Sequence, residues 1–137
     1  MTQTLPDIQK TIVIDAPIEK VWSTVATADG IAAWFMPNDF EPVLGHEFQL
    51  QAGPWGNSQC KVTELEPPHR LSFTWDKDWL ITFELAEKDG QTEFTLTHGG
   101  WTLDEKTSFG EDHSVVRDRM SGGWSGILSK LAAQFGA

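Results

Sequence analysis

The chain has 137 residues, and its 20 acidic and 10 basic side chains give a formal net charge of −10. Because phosphate backbones and anionic lipid surfaces repel such a protein, the charge argues against nucleic acid or a membrane surface as partner. Cys60 is the only cysteine, which excludes an intrachain disulfide and a cysteine-based zinc cluster.

The length is typical of one domain, which we place over residues 1–137. A basic, apolar leader segment and runs of 18 apolar residues are both absent, so we expect a cytoplasmic protein without stable membrane insertion. Seven Trp and eight Phe but no Tyr supply much of the apolar volume. Rings of this size fill a core or line a pocket.

The N-terminal part of the chain predicts one strand and two short helices. Isoleucines recur among polar residues over 8–14 and predict the strand. Pro17 then suits the first position of a helix, which we expect to stop near residues 29–30. A second helical piece is predicted over residues 31–35. It ends there because the proline two residues later disfavours helical backbone in the residue before it.

The middle of the chain changes to period-two alternation, interrupted by turn residues at close intervals, which is typical of an antiparallel meander. Asp89-Gly90 is a pair that favours a type I′ hairpin turn. Five strands are predicted, and their inward residues are Phe48 and Leu50; Cys60 and Val62; Leu71, Phe73 and Trp75; Trp79, Ile81, Phe83 and Leu85; and Phe94, Leu96 and His98.

Apolar residues recur at helical spacing from Val116 to Phe135 and predict a long amphipathic C-terminal helix. Gly122, Gly123 and Gly126 interrupt it, and each costs about 1 kcal/mol relative to alanine. So many glycines predict a close backbone approach or a kink.

Together these elements predict an α+β domain in which a curved antiparallel sheet wraps around the long C-terminal helix. The rings inside this wrap either form a solid core or surround a cavity of about 300–1,000 Å³. The composition and the pattern leave both options open.

Five segments, in this order, resemble the bacterial family named after the activator of the heat-shock-protein-90 ATPase. They are residues 16–22 (APIEKVW), 33–37 (AWFMP), 62–75 (VTELEPPHRLSFTW), 92–101 (TEFTLTHGGW) and 123–124 (GW). The resemblance covers nearly the whole chain and implies the START/SRPBCC superfamily with its helix-grip (START/Bet v-like) fold. It implies a hydrophobic ligand held between the sheet and the long helix, but it does not define an activity.

Two positions depart from the family pattern. Gly45-His46 stands where the family commonly has paired glycines, and Gln59-Cys60 lies where a glycine is frequent. At the second position, the thiol either narrows the cavity or adds a reactive group.

The candidate cavity lining combines rings and methionines of the predicted inner faces. In this hypothesis residues 34–36 cover the mouth of the cavity, and Met120 and Trp124 face them from the helix. Trp75 and Trp79 are either a cross-strand aromatic pair or the cavity rim. The full set is Trp34, Phe35, Met36, Phe48, Cys60, Phe73, Trp75, Trp79, Phe83, His98, Met120 and Trp124.

Catalytic residues, a metal centre and a cofactor are not predicted, because metal-ligand spacing and nucleophile motifs are absent. His98 points inward by alternation; we expect the backbone near Gly99 to hold its ring, although the ring is also placed to bind a ligand. His46 and His69 lie beside turn residues and are expected in solvent. Cys60 is expected to be a buried, inert thiol.

Three functions are compatible with these patterns. The first is binding of a small hydrophobic molecule, either lipid-like or polycyclic aromatic. The second is a cyclase or hydrolase that uses the same pocket, with His98 or an acid such as Glu64 moving a proton. The third, ranked lowest, is a co-chaperone of the stress response with the heat-shock-protein-90 chaperone as partner, as the family name suggests. A homodimer is compatible with the sequence but is not decided by it.

Overall fold

The computed structural model describes residues 7–51, 57–75, 79–101 and 112–135. The elements are β1 (Ile8–Ile14), α1 (Ile18–Val25), α2 (Ala28–Trp34), β2 (Glu47–Gln51), β3 (Asn57–Glu66), β4 (Arg70–Trp75), β5 (Trp79–Lys88), β6 (Gln91–Gly99) and α3 (His113–Ala133). The predicted α+β helix-grip architecture is confirmed.

The strands form one antiparallel sheet in the order β1-β6-β5-β4-β3-β2. The predicted meander is confirmed, since β2 to β6 pair with their neighbours in sequence and β1 adds beside β6. Asp89 and Gly90 have φ values of 54° and 81°. A type I′ turn requires positive φ at both positions, so the predicted hairpin is also found.

The inner face of the sheet carries the core. Phe73, Phe83 and Phe94 lie on neighbouring strands and are all buried. On the other side of the core, Trp124 and Leu128 of α3 are buried as well. Helix α1 contacts β5 and β6, while α3 contacts β1 and α2. The helices thus cover the apolar face of the sheet and remove it from water, which is the main favourable contribution to folding.

The boundary between the first two helices differs from the prediction. Helix α1 ends at Val25 and α2 begins at Ala28, so the expected stop near Gly30 is wrong. The reason is Thr27, whose side-chain oxygen accepts a hydrogen bond from the Gly30 N–H at 3.1 Å and caps α2. Gly30 fits inside α2 because the helix packs closely on α1, where a Cβ atom would overlap the Thr24 carbonyl.

The long C-terminal helix is confirmed as α3, but the close backbone approach predicted at its glycines is wrong. Gly122, Gly123 and Gly126 lie on its exposed side, and an added Cβ atom would meet none of the described atoms within 4 Å. These glycines lower helix propensity without a compensating packing contact to the described residues. Within the described ranges, the helices are all too short or too polar to cross a bilayer.

Candidate ligand-binding site

His98 lies near the end of β6, on the inner face of the sheet, and is completely buried. Four indole rings surround it. The ring centroids of Trp101, Trp79, Trp75 and Trp124 lie 4.6, 5.0, 5.6 and 5.9 Å from that of His98. We refer to these five residues as the tryptophan cluster.

The register of the sheet brings the tryptophan cluster together. Trp75 pairs with Trp79 between β4 and β5, and their rings form an edge-to-face contact at 5.3 Å. Ile81, two residues after Trp79, pairs with His98 on β6. Residues two apart on a strand share a face, so Trp79 and His98 both point toward α3. Trp124 of α3 completes the contact from the helix side, 6.4 Å from Trp75.

Two indole N–H groups bind His98. Trp124 Nε1 donates to His98 Nδ1 at 2.9 Å, and Trp101 Nε1 donates to the His98 carbonyl oxygen at 2.9 Å. Because Nδ1 accepts, the neutral ring carries its proton on Nε2. The inward orientation predicted for His98 is confirmed, but the partner of its ring is an indole and not the backbone near Gly99.

Burial determines the charge of His98. It lowers the pKa of the imidazole to about 3, because the charged form is poorly solvated among indole rings. At neutral pH the ring is therefore uncharged, with one accepting and one donating nitrogen.

Nε1 of Trp75 and Nε2 of His98 are buried and have no hydrogen-bond partner among the described residues. A buried donor left without an acceptor costs about 1–3 kcal/mol, and the large majority of buried polar groups in proteins are paired. The described part of the cluster thus presents two donors for which it supplies no acceptor.

Phe35 links the tryptophan cluster to the end of α2. Its ring contacts Trp124 at 5.1 Å and makes a T-shaped contact with Trp75 at 5.6 Å. Phe35, within the segment 34–36, therefore contacts Trp124 of α3 as predicted, while the cavity mouth that this segment is expected to cover stays a prediction. Four of the predicted lining residues pack against the core while keeping part of their surface exposed: Phe35, Met36, Trp79 and Met120.

The other predicted lining residues lie in a second group of buried side chains, which includes Trp34 of α2. Phe73 contacts Phe48 at 5.3 Å and Phe83 at 5.8 Å. Trp34 packs on Phe83 at 5.7 Å and donates its Nε1 to a carbonyl oxygen of α1 at 3.1 Å. Cys60 is buried beside this group, opposite Phe48 in the register of β2 and β3. All of these side chains belong to the core.

Sequence reasoning missed three ring contacts. No contact was predicted for Trp101, yet its indole packs on the ring of His98. The signal was the preceding glycine: Gly100 has a φ of 95°, which favours glycine and turns the chain back toward the cluster. Phe40 packs on the ring of Phe48 at 5.1 Å, and Phe94 packs on the ring of Phe83 at 5.3 Å.

Glu64, the acid considered for catalysis, lies on the outer face of the sheet. The register shifts between Val62 and Glu64, and this bulge reverses the side on which the following residues point. The Glu64 carboxylate accepts hydrogen bonds from Arg70 Nε at 2.9 Å and from Ser72 Oγ at 3.3 Å. The hydrogen bond from Arg70 lowers the pKa of Glu64, so its carboxylate is ionised and paired at neutral pH.

The turn histidines differ from each other. His69 is exposed, as predicted. His46 is half-buried: its Nε2 lies 3.1 Å from the Asp39 carbonyl oxygen, and its ring stacks on Phe48 at 6.3 Å. The expectation of a solvated His46 is wrong because the adjacent ring covers it. In the ranges that the structure describes, no three His, Cys, Asp or Glu side chains are grouped to hold a metal ion.

An open groove of about 440 Å³ runs between β1 and α3, with Ile12, Leu128 and Ala132 among its walls. It lies at the boundary between sheet and helix, on the edge opposite β2. None of the twelve predicted lining residues borders this groove.

Residues 15–136 match the model of the family described as Activator of Hsp90 ATPase homolog 1-like protein. The chain belongs to this family. The family assignment agrees with the helix-grip arrangement of the sheet and α3. No curated protein matches this chain.

Solved structures of several bacterial proteins are similar to this member of the family. Protein BH1534 of Bacillus halodurans is 45% identical, with 98% of this chain and 99% of that one covered and a TM-score of 0.88. Protein MLL2253 of Mesorhizobium loti is 26% identical, with 93% and 95% covered and a TM-score of 0.81. The Aha1 dimer from Colwellia psychrerythraea is 23% identical, with 96% of each chain covered and a TM-score of 0.77, a likeness of fold alone.

Proposed function

We propose that this protein binds a small hydrophobic molecule, lipid-like or polycyclic aromatic, between the sheet and α3 at the tryptophan cluster. One observation carries the proposal. At the edge of the core between the sheet and α3, apolar side chains are only half-buried, among them Phe35 and Met120. Such an edge is where an apolar ligand enters with the least loss of existing packing.

The chemistry of this edge supports the proposal. Met36 and Met120 have flexible, polarisable side chains that adapt to irregular partners. Phe35 contacts Trp124 and Trp75, so a ligand that displaces its ring reaches both indole rings. Aromatic walls with a few polar groups are typical of small-molecule sites.

The arrangement favours binding over acid–base catalysis by the two groups considered from the sequence. Glu64 is held by Arg70 on the outer face of the sheet. His98 has a pKa of about 3 and is therefore a weak base at neutral pH, far from the match with working pH that proton transfer needs. A role for His98 as a neutral hydrogen-bonding group fits this environment better.

A homodimer is a second part of the proposal, because the Aha1 structure from Colwellia psychrerythraea is a dimer. Light scattering during size-exclusion chromatography measures the mass directly. A mass near 15.3 kDa, the mass of one chain, at all concentrations would contradict it.

The direct test is a titration with a panel of fatty acids, sterols and polycyclic aromatics, followed by thermal shift and tryptophan fluorescence. Seven tryptophans make the protein its own reporter. A ligand present at about a hundred times its dissociation constant stabilises by about 2.7 kcal/mol, which raises the melting temperature by several degrees. A well-folded protein that responds to no compound in the panel contradicts the proposal.

A matched pair of variants on α3 locates the site. Met120→Ala removes a half-buried side chain at the proposed edge, whereas Val115→Ala removes one that is 53% exposed. We expect Met120→Ala to raise the dissociation constant and Val115→Ala to leave it unchanged. Equal effects of the two substitutions would place the ligand elsewhere.

A further inference from the structure

The tryptophan cluster contains more hydrogen-bond donors than acceptors. Its donors include the indole N–H groups of Trp75, Trp101 and Trp124 and the imidazole Nε2–H of His98. Trp101 and Trp124 donate to the two acceptors that His98 provides, its carbonyl oxygen and Nδ1. These bonds use the acceptors of His98 and leave Trp75 Nε1 and His98 Nε2 without one among the described residues.

The tautomer of His98 turns the second of these atoms into a donor. If Nε2 were unprotonated, Nδ1 would carry the proton and repel the N–H of Trp124, which lies 2.9 Å away. The unpaired Nε2 is therefore an N–H group. Its ring is stacked on that of Trp75 with centroids 5.6 Å apart and planes inclined by 24°, so both donors belong to one small region.

We propose that the ligand carries a neutral hydrogen-bond acceptor, a carbonyl oxygen, that is held by His98 Nε2–H and Trp75 Nε1–H. This inference rests on the proposed function and specifies the class of ligand: an apolar, ring-bearing molecule with a ketone or quinone-like oxygen. Both side chains are almost completely buried, with 0% and 5% of their surface exposed, so an acceptor that reaches them is shielded from water.

Other ligand chemistries fit these two donors less well. A pure hydrocarbon leaves both N–H groups unpaired. A carboxylate pairs with them but brings a charge among indole rings that carry no balancing charge, at a large desolvation cost. An ammonium group has only donors to offer to donors. A carbonyl oxygen accepts two hydrogen bonds without a net charge.

The test compares two probes that differ only at the acceptor: 9-fluorenone, a flat tricyclic ketone, and fluorene, in which a methylene group replaces the carbonyl. Calorimetric titration measures both dissociation constants on the full chain. We expect the ketone to bind about tenfold more tightly, which is the ratio that one or two well-formed neutral hydrogen bonds supply. In ¹H–¹⁵N spectra the ketone should shift the indole signal of Trp75 more than fluorene does.

Variants of His98 distinguish the role of the Nε2–H donor from that of the Nδ1 acceptor. The amide nitrogen of His98→Gln reaches the position of Nε2 and keeps a donor there. The amide oxygen of His98→Asn stands near the position of Nδ1, so it keeps the acceptor for Trp124 but removes the donor at Nε2. We expect the preference for the ketone to persist in His98→Gln and to be lost in His98→Asn.

Trp75→Phe provides an independent test should a His98 variant fail to fold. It keeps an aromatic ring and removes the N–H, and it should reduce the preference of the ketone over fluorene toward one. Thermal melts and the dispersion of the indole signals report on folding in each variant.

The outcomes are distinct. Equal affinities of the two probes for the wild-type protein overturn the inference and leave the proposed binding function intact. A buried water would then be the acceptor of the two N–H groups. A ketone preference that survives both His98→Asn and Trp75→Phe also overturns it. If neither probe binds, the inference is overturned as well. Binding of another compound from the lipophile panel would show that the proposed function survives that result.

Discussion

Trp124 of α3 and His98 of β6 are joined by a 2.9 Å hydrogen bond from the indole Nε1 to the imidazole Nδ1. Both side chains are fully buried, and the bond connects the C-terminal helix to the end of β6 across the core. One contact thus has two effects: it anchors α3, and it assigns the proton of His98 to Nε2.

Replacing Trp124 by phenylalanine should remove the donor and keep most of the ring. His98 Nδ1 would then be a buried acceptor without a partner, and we expect the free energy of unfolding to fall by about 1–3 kcal/mol. Urea unfolding measures this loss. The half-buried Trp22 offers a matched control, since Trp22→Phe removes an indole on α1, away from this bond. A loss no larger for Trp124→Phe than for Trp22→Phe would count against the role of the bond.

The stability of the protein should depend on pH through His98. Burial lowers the pKa of its imidazole from 6.5 to about 3. Below pH 6.5 the unfolded chain therefore binds a proton that the folded chain does not accept until about pH 3. This group has no effect on the free energy of unfolding above pH 6.5. As the pH falls from 6.5 toward 3, it lowers that free energy by up to about 1.4 kcal/mol per pH unit.

The control for this pH dependence is His98→Gln, which cannot titrate. Carboxyl groups contribute to the pH profile of both proteins, so the difference between the two profiles isolates the imidazole. We expect the variant to show a flatter decline between pH 6.5 and pH 4. Parallel profiles would mean that His98 is not buried as a neutral ring.

The exposed glycines of α3 offer a gain in stability. Gly122→Ala and Gly126→Ala place a methyl group in open space, because no described atom lies within 4 Å of either Cβ position. Each substitution should raise the free energy of unfolding by about 0.5–1 kcal/mol, since alanine restricts the unfolded chain and favours helix. Denaturant midpoints measure the gain. A loss of stability would indicate a contact on this side of α3.

Gly30 should respond in the opposite direction. An alanine Cβ atom there overlaps the backbone of Thr24, and a backbone group cannot move aside without shifting α1 against α2. We expect Gly30→Ala to lower the free energy of unfolding by about 1–3 kcal/mol. Gly122→Ala is the matched control, because the same substitution is made in a helix without the overlap. A neutral effect at Gly30 would mean that the two helices are less closely packed.

Glu64→Gln should have little effect on the binding of a ligand at the tryptophan cluster. Its carboxylate faces Arg70 on the outer face of the sheet, with 44% of the side chain exposed. We expect the dissociation constant of any panel ligand to change by less than about threefold, as is usual for distant sites. If Glu64→Gln strongly weakened ligand binding, or abolished a newly found enzymatic activity, Glu64 would belong to the functional site.

The strands, the hairpin at Asp89-Gly90 and the inward position of His98 could be predicted from the sequence. Period-two alternation and turn chemistry are local signals that depend on residues a few positions apart. The twelve candidate lining residues all lie in the interior or at its edge for the same reason, because alternation in strands and helical spacing in helices decide which side chains face the core.

Only the tertiary structure decided the partners of those side chains. The bond between Trp124 and His98 and the contact of Trp101 with Trp79 at 4.9 Å join residues far apart in the chain. The bulge after Val62 turned Glu64 outward against the simple alternation. Helix α2 requires a glycine where it meets α1, whereas a Cβ atom at the three glycines of α3 would meet none of the described atoms within 4 Å. Local patterns determine which elements form and which way they face, but contacts between distant elements depend on how those elements pack.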